Sequence, residues 1–566
     1  MSDTTSEPST PGASTPPSSV PSSPKLSASS TRDVLNLPDA SEKAKQEAAK
    51  VKAEANKAFI GHHFNDAVDL YSKAIDLNPK DATLWCNRAY TRIKLEEHGY
   101  ALLDAATAIQ LDPKYSKAYY RRATCYLQTL KLKQAIADFK RVLALEPRNN
   151  LVKTQLDTTQ KLLRKAEFEK AIEMEEEKSP ALRCLEIIKE GDNLSSGGCD
   201  VEKSYAGPKL PFQDGKFSIT IGFIKEMLEW FKQGKTLPRR YVWEIALGAH
   251  DHFTNEDSLV SVDIEEGTTI DVIGDVHGQF YDMLHLFSLT GEPSESHRLL
   301  MNGDLVDRGS WSMEVILTAL AFKWLYPKRM FINRGNHETK DMNRTYGFEG
   351  EAKHKHGEQT YKLFAHIFTT MPLATLINAT QAPSGKSPSA ILSPEGRKRY
   401  FVVHGGLFSK DDVSLEDIRK IDRIGKQPGQ EGLMCELLWT DPQEEPGRGP
   451  SKRELRLAQT LHAGGALRTA LRASFEVTKF GRVGPIPIYT VLRTHFQTPD
   501  GYAIEHDGLC TTVFSAPNYV DQAGNKGAFI RIDSVGNQKY TQFEAKPHPP
   551  MKPMAYVSGG LASILS

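Results

Sequence analysis

The pattern of hydrophobic and polar positions divides the chain into regimes. Residues 1–40 show no apolar periodicity, and most of the first thirty are Ser, Thr or Pro. Such a stretch cannot bury enough apolar surface to offset the entropy of ordering and is expected to be a disordered tail. From Ala48 the pattern repeats every 34 residues. Ala55, Ala89 and Ala123 fall in step, as do Ala67, Ala101 and Ala135, while Pro79, Pro113 and Pro147 close the units. Small residues at the first two positions let paired helices approach closely, and proline ends the second helix of each pair, so 48–149 predicts three such units. A helix from about Leu151 to Lys178, ending in the acidic run Glu173–Glu177, is expected to cap the stack with a polar outer face. Ser195–Gly198 reads as a linker, which makes 150–210 cap and linker. From 211 to 546 short apolar strands alternate with helical segments: Ile270–Ile273, Leu299–Asn302, Met330–Asn333, Tyr400–Val403, Tyr489–Arg493, Thr511–Phe514 and Ala528–Ile532. Several end in polar or Gly-rich turns, where an α/β fold builds its site. Gln381–Lys398 and Glu454–Pro487 read as insertions. The tail 547–566 is proline-rich with a short apolar end, Leu561–Leu565.

Composition changes this picture at a few points. The chain has 566 residues, 39% hydrophobic and 25% charged, with 71 Lys+Arg against 71 Asp+Glu. Zero net charge argues against a whole-chain nucleic-acid binder. Six cysteines form no CxxC pair, which fits a reducing compartment. No secretory h-region and no run of about 18 apolar residues is visible, so a soluble cytoplasmic and nuclear protein without a membrane span is expected. The 34-residue period matches the tetratricopeptide repeat.

The candidate chemistry lies directly after the predicted strands: Gly274-Asp275-Val276-His277-Gly278, Gly303-Asp304-Leu305-Val306-Asp307-Arg308-Gly309, Gly335-Asn336-His337-Glu338 and His404-Gly405-Gly406, with His495 following the strand that ends at Arg493. Carboxylate, imidazole and amide oxygen together suit first-row divalent metals rather than calcium. Asp304 has two oxygens with which to bridge two ions, and such a pair stabilises in-line attack on phosphorus.

In this order the motifs resemble the metallophosphoesterase superfamily. Asp304–Gly309, His404–Leu407 and Ser515–Tyr519 narrow the resemblance to the serine/threonine phosphoprotein phosphatases, in particular those carrying N-terminal tetratricopeptide repeats. It implies a multidomain protein, an all-α repeat solenoid followed by an α/β metallophosphoesterase domain with a central β-sandwich flanked by helices. It implies two divalent ions, manganese in vitro with iron, zinc or magnesium as alternatives. Asp275, His277 and Asp304 would bind the first; Asp304, Asn336, His404 and His495 the second. Arg308 and Arg453 would grip phosphate, with Tyr519 at the phosphate pocket. His337, oriented by Asp307, would protonate the leaving serine or threonine oxygen after attack by a metal-activated hydroxide.

Lys52, Asn56, Asn87, Lys117 and Arg121 share one face of the repeats by register and match a clamp for a terminal carboxylate. The resemblance implies the acidic C-terminal tail of heat-shock protein 90 as its ligand. It also implies autoinhibition by the repeats, held by the C-terminal segment and released by a groove ligand or a fatty acid. The chain departs from the family pattern between Glu454 and Phe496, through divergence or a misjoined gene model, which bears on Arg453 and His495. If the disruption ruins the site, the alternative is a catalytically impaired chaperone adaptor. A smaller departure is Asn333, where most relatives have Leu.

Overall fold

The computed structural model of the chain describes residues 39–129, 131–172, 178–190, 199–294, 296–380, 398–410, 412–429, 431–441, 490–494 and 497–557. Arg453 and His495 lie outside them. So do nearly all of the N-terminal tail, the run 173–177, the linker 195–198, both insertions apart from Lys398, and the apolar end 561–565.

The repeats form six helices: α1 (Glu42–Ile60), α2 (Phe64–Leu77), α3 (Ala82–Lys94), α4 (His98–Leu111), α5 (Ser116–Gln128) and α6 (Leu132–Leu145). The paired alanines explain the close approach: Ala55 with Ala67, Ala89 with Ala101 and Ala123 with Ala135 are completely buried where the two helices of each unit meet. α2, α4 and α6 each stop two residues before their proline, which disfavours helical geometry in the residue preceding it. Two ion pairs recur at the same period, Arg88 with Asp104 and Arg122 with Asp138, at 2.8 and 2.7 Å. The turns inside the first two units are also in register: His62 and Glu96 both sit at left-handed φ, 61° and 59°.

α7 (Asn150–Ile172) packs on α6 through Val152 and Leu156. α8 (Pro180–Glu190) lies in the stretch expected to be cap and linker, yet it joins the core of the next domain. Its apolar stripe Ala181, Cys184 and Ile187 is buried there together with Cys199 and Leu210, so residues before 211 contribute to that core.

A small hairpin, β1 (Phe212–Gln213) and β2 (Lys216–Phe217), precedes α9 (Ile221–Lys232) and α10 (Arg239–Thr254). Eleven further strands form two sheets. They are β3 (Leu259–Ile264), β4 (Thr269–Ile273), β5 (His297–Met301), β6 (Met330–Ile332), β7 (Ala374–Ala379), β8 (Arg399–Val403), β9 (Thr490–Arg493), β10 (Tyr502–Glu505), β11 (Cys510–Val513), β12 (Gly527–Asp533) and β13 (Gln538–Phe543). One sheet has the order β10-β11-β9-β8-β7-β3 and the other β13-β12-β4-β5-β6. Their facing side chains interlock in one cluster, with Val262, Ile377, Val402, Leu492 and Val513 from the first sheet against Ile270, Val272, Leu300, Ile530 and Ile532 from the second. Each such side chain contributes about 1.5–3 kcal/mol on burial.

The outer face of the second sheet is covered by α9, α10, α11 (Phe280–Thr290), α12 (Ser312–Leu325) and α15 (Glu358–Thr370). Two short helices, α13 (Lys340–Tyr346) and α14 (Phe348–His356), connect β6 to α15. Helices 415–419 and 433–439 cover the outer face of the first sheet. β4, β5 and β6 run parallel to one another, and so do β8, β9 and β11. The ends of both sets therefore converge on one rim of the sandwich. Among the described residues no helix is long and apolar enough to cross a membrane.

Candidate active site

Each motif is the turn that follows one of these strands. β4 leads to Asp275 and His277, β5 to Asp304 through Arg308, β6 to Asn336 and His337, β8 to His404, and β11 to Ser515 through Tyr519. Among the described residues, an isolated bridge between Asp275 and Phe514 ties the two sheets together at this rim. The turns are sharp: His277, Asp304, Asp307 and Arg308 all have positive φ, between 46° and 72°. Side-chain-bearing residues hold this conformation only where their surroundings impose it. Gly335 is required for a different reason, since a Cβ there would lie 2.2 Å from Asp304 Oδ1.

The turns bring two groups of ligand atoms together, Asp275–Asp304–His404 and His277–Asp304–His337, each within 4.8 Å and all buried. Asp304 belongs to both. Asn336 Oδ1 lies 2.9 Å from His404 Nε2, which is 3.4 Å from Asp304 Oδ2. His277 Nε2 is 3.5 Å from Asp304 Oδ2 and 3.9 Å from Asp275 Oδ2. Burial pushes the pKa of both His277 and His404 down, so the neutral imidazole is favoured. With Nδ1 of His277 donating to the Val306 carbonyl and Nδ1 of His404 to that of Asn302, each Nε2 turns a lone pair toward carboxylate and amide oxygens. Electron pairs crowded in this way want a cation between them, so the donor set fits divalent metal.

His337 does two things in the fold. Its backbone N–H donates to Asp304 Oδ1 at 2.8 Å, and its Nδ1 lies 2.9 Å from Asp307 Oδ2. Asp307 is buried, and burial pushes its carboxyl up to about 7 against the N–H groups of Phe348 and Asn343 that pull it down. The pair therefore holds the ring with Nε2 directed away from Asp307.

Arg308 is buried with its guanidinium carbon 3.8 Å from the centre of the Tyr346 ring. Its Nε is buried without a hydrogen-bond partner among the described residues, as expected of a group built to receive an anion. Nη2 lies 3.0 Å from Glu96 Oε1, at the second repeat's turn. Burial works against the charge on Arg308, but Glu96 and the neighbouring Tyr519, Tyr346 and Asp307 outweigh it and raise the pKa. Tyr519 is held by Asn525, whose Oδ1 accepts its backbone N–H, and its ring lies 5.2 Å from that of His277. Tyr346 also reaches the repeats: its Oη is 2.9 Å from Gln128 Oε1.

Across the chain, the curated relatives include serine/threonine-protein phosphatase T of Aspergillus oryzae, 43% identical over 92% of this chain and 98% of the relative. Serine/threonine-protein phosphatase 5 of Homo sapiens is 39% identical over 91% of this chain and 94% of the relative. The chain belongs to the serine/threonine-protein phosphatase 5/T family. Family models agree segment by segment: tetratricopeptide repeat at 116–149, PPP5 TPR repeat region at 156–261 and calcineurin-like phosphoesterase at 268–467. A solved structure of a Saccharomyces cerevisiae protein serine/threonine phosphatase is 38% identical, with a TM-score of 0.51 over 60% of this chain and all of that one.

Family membership leaves several positioning residues of this phosphatase chain to be found in the structure itself. Glu338 accepts three backbone N–H groups, from Asp304, Leu305 and Gly335, at 2.8, 2.8 and 2.9 Å. Asn343 bridges Asp307 and the His337 carbonyl. Arg493 anchors the His404 turn by donating to the Gly405 carbonyl and pairing with Asp441 at 2.7 Å. Glu338 stood within a motif that sequence reading had already singled out; nothing in the sequence pattern marks Glu96 or Gln128 as partners.

The five clamp residues lie on the first helices of the three repeats, Lys52 and Asn56 on α1, Asn87 on α3, Lys117 and Arg121 on α5. Asn87 Nδ2 approaches Asn56 Oδ1 at 3.5 Å. Lys52 bonds Thr83 and lies 3.6 Å from Asp81, Arg121 stacks on Tyr90 at 3.4 Å, and Lys117 is exposed.

Proposed function

We infer that the chain is a metal-dependent protein serine/threonine phosphatase whose repeats restrain it and recruit it to acidic chain ends. The observation that carries this reading is Asp304, shared by two buried groups of ligand atoms, one of which includes the His337 that pairs with Asp307, next to the Arg308 guanidinium. Asp275, His277 and Asp304 would hold one divalent ion, and Asp304, Asn336 and His404 another, with manganese the ion to test first. Such ions supply the charge that lowers the pKa of a water and offsets that of the phosphate.

The chain's own residues do the rest. Arg308 receives phosphate oxygens through a planar fork, and Tyr519 walls the pocket beside it. As the imidazolium, with its Nδ1–H donated to Asp307, His337 carries on Nε2 a proton for the serine or threonine oxygen that leaves. Glu338 keeps the Asp304 turn in place. The Glu96 carboxylate takes the position at Arg308 that a phosphate oxygen needs, which is the physical basis of restraint by the repeats. An acidic chain terminus such as that of heat-shock protein 90, gripped by Lys52, Lys117 and Arg121, or a fatty acid, would shift the repeats toward release.

With Mn2+ the chain carrying Glu96→Ala should release phosphate from a phosphoserine peptide, and Asp304→Asn in that chain should abolish the release. If the Glu96→Ala chain is inert with metal while still binding an acidic chaperone peptide, the adaptor reading replaces this one.

A further inference from the structure

The C-terminal tail does not simply trail from β13. Residues 552–557 lie across the turn that carries Asp307 and Arg308. The Met554 N–H donates to the Arg308 carbonyl at 2.7 Å. Ser310 Oγ donates to the Lys552 carbonyl at 2.7 Å and accepts from the Ala555 N–H at 3.3 Å. The other side of the turn is held by the Arg308 N–H, which donates to the Tyr346 carbonyl at 3.1 Å. Asp307 and Arg308 are consecutive side-chain-bearing residues at φ 72° and 69°, a conformation that L-residues leave unless both sides are held.

The seat for this strap is closely fitted. Met554 is buried against Met342 and Tyr346, with Trp439 and Val557 packed around it. The Tyr556 ring lies 5.4 Å from His354 and near the Lys355 ammonium. At Gly350 in α14 the strap comes so near that a Cβ would meet the Tyr556 carbonyl oxygen at 2.1 Å.

Building on the phosphatase reading above, we propose that the strap Lys552–Tyr556 is a positioning element of catalysis. By clamping the Arg308 carbonyl and Ser310, it fixes where the guanidinium meets phosphate and where Asp307 meets His337. Its hydrogen bonds fall on Arg308 and Ser310 and not on a metal ligand: Asp275, Asn336 and His404 lie on other turns, His277 meets this turn at Asp304, Val306 and Gly309, and the Asp304 N–H is held by Glu338. Loss of the strap therefore weakens phosphate recognition and turnover while sparing metal affinity.

The test uses the full chain with Glu96→Ala, whose phosphatase activity is established first, so that failure of the phosphatase reading registers before the strap is touched. Gly350→Ala is then added. It drives the strap off by a methyl group, and alanine favours the helix that carries it. The expected result is a 10- to 100-fold fall in kcat/KM, the order seen for a displacement of about 1 Å at a reacting centre. Inhibition by inorganic phosphate should weaken alongside, and the Mn2+ concentration for half activation should not change. Unchanged or increased kcat/KM overturns the proposal, as does a parallel loss of Mn2+ affinity, which would mean general damage. The same Glu96→Ala chain ended at Met551 gives a second reading. It should show the same loss, and a synthetic peptide of residues 549–557 should restore phosphate affinity; no loss on truncation, or a folded truncated chain that the peptide leaves unchanged, overturns the assignment.

Discussion

Glu338 is completely buried, and its carboxylate gathers N–H donors of both the Asp304 and the Gly335 turns. Glu338→Gln would set an amide N–H against backbone donors. The Mn2+ concentration for half activation should rise by about 10–100-fold, the usual consequence of losing a group that orients ligands. Asn333 illustrates a residue whose oddity was legible while its meaning was not. It replaces an expected leucine, and in the folded protein its amide donates to Asn302 Oδ1 at 2.7 Å while its Oδ1 accepts from Thr375. Asn302 in turn holds His404 through its carbonyl. Asn333→Leu should therefore destabilise the protein by about 1–3 kcal/mol in urea unfolding despite being more apolar, because two buried partners lose their bonds. Motif residues were readable because each motif is contiguous; Asn343, Arg493 and Glu96 were not, because their roles exist only across turns distant in sequence.

At the level of elements, the strands read from sequence were those buried on both faces, β4, β5, β6, β8, β9, β11 and β12. β3, β10 and β13 went unread because they are partly exposed and mixed in polarity, as in the run Gln538–Phe543. β7 is interior and six residues long, but it leads straight into the segment read as a loop. The repeats were read best of all, because one packing solution recurs at fixed spacing. Their groove supplies its own test: Lys117→Ala should weaken binding of an acidic C-terminal peptide by about 10–100-fold in calorimetry, as expected for a lost charged hydrogen bond of about 1.5–3 kcal/mol. Helices α14 and α15 carry two histidines that burial drives downward, His356 to about 3 and His366 to about 4. In the unfolded chain both titrate near 6.5, so between those values the unfolded state holds more protons. Stability from this source is complete above about 6.5 and is lost as pH falls toward the folded values. Urea midpoints measured from pH 7 to 4.5 should fall less steeply in His356→Gln than in the parent chain.

Among the described residues, Glu96 on Arg308 and Gln128 on Tyr346 join the two domains at the site itself. Neither contact could be foreseen from patterning, since each repeat and each strand is satisfied without the other domain. Glu96→Ala should raise basal phosphatase activity by order tenfold, in the range of ordinary coupling between sites, while leaving peptide affinity of the groove nearly unchanged. The geometry of the Glu96 contact also sets what kind of restraint this is. A tethered carboxylate and an incoming phosphate compete for one guanidinium, so the repeats act as a built-in competitive inhibitor at a fixed effective concentration set by the connection between the domains. Restraint of that kind raises KM and spares kcat. The enzyme would then be quiet toward scarce phosphoproteins and would open to abundant ones without any activator, a threshold on substrate load written into a single turn of the second repeat.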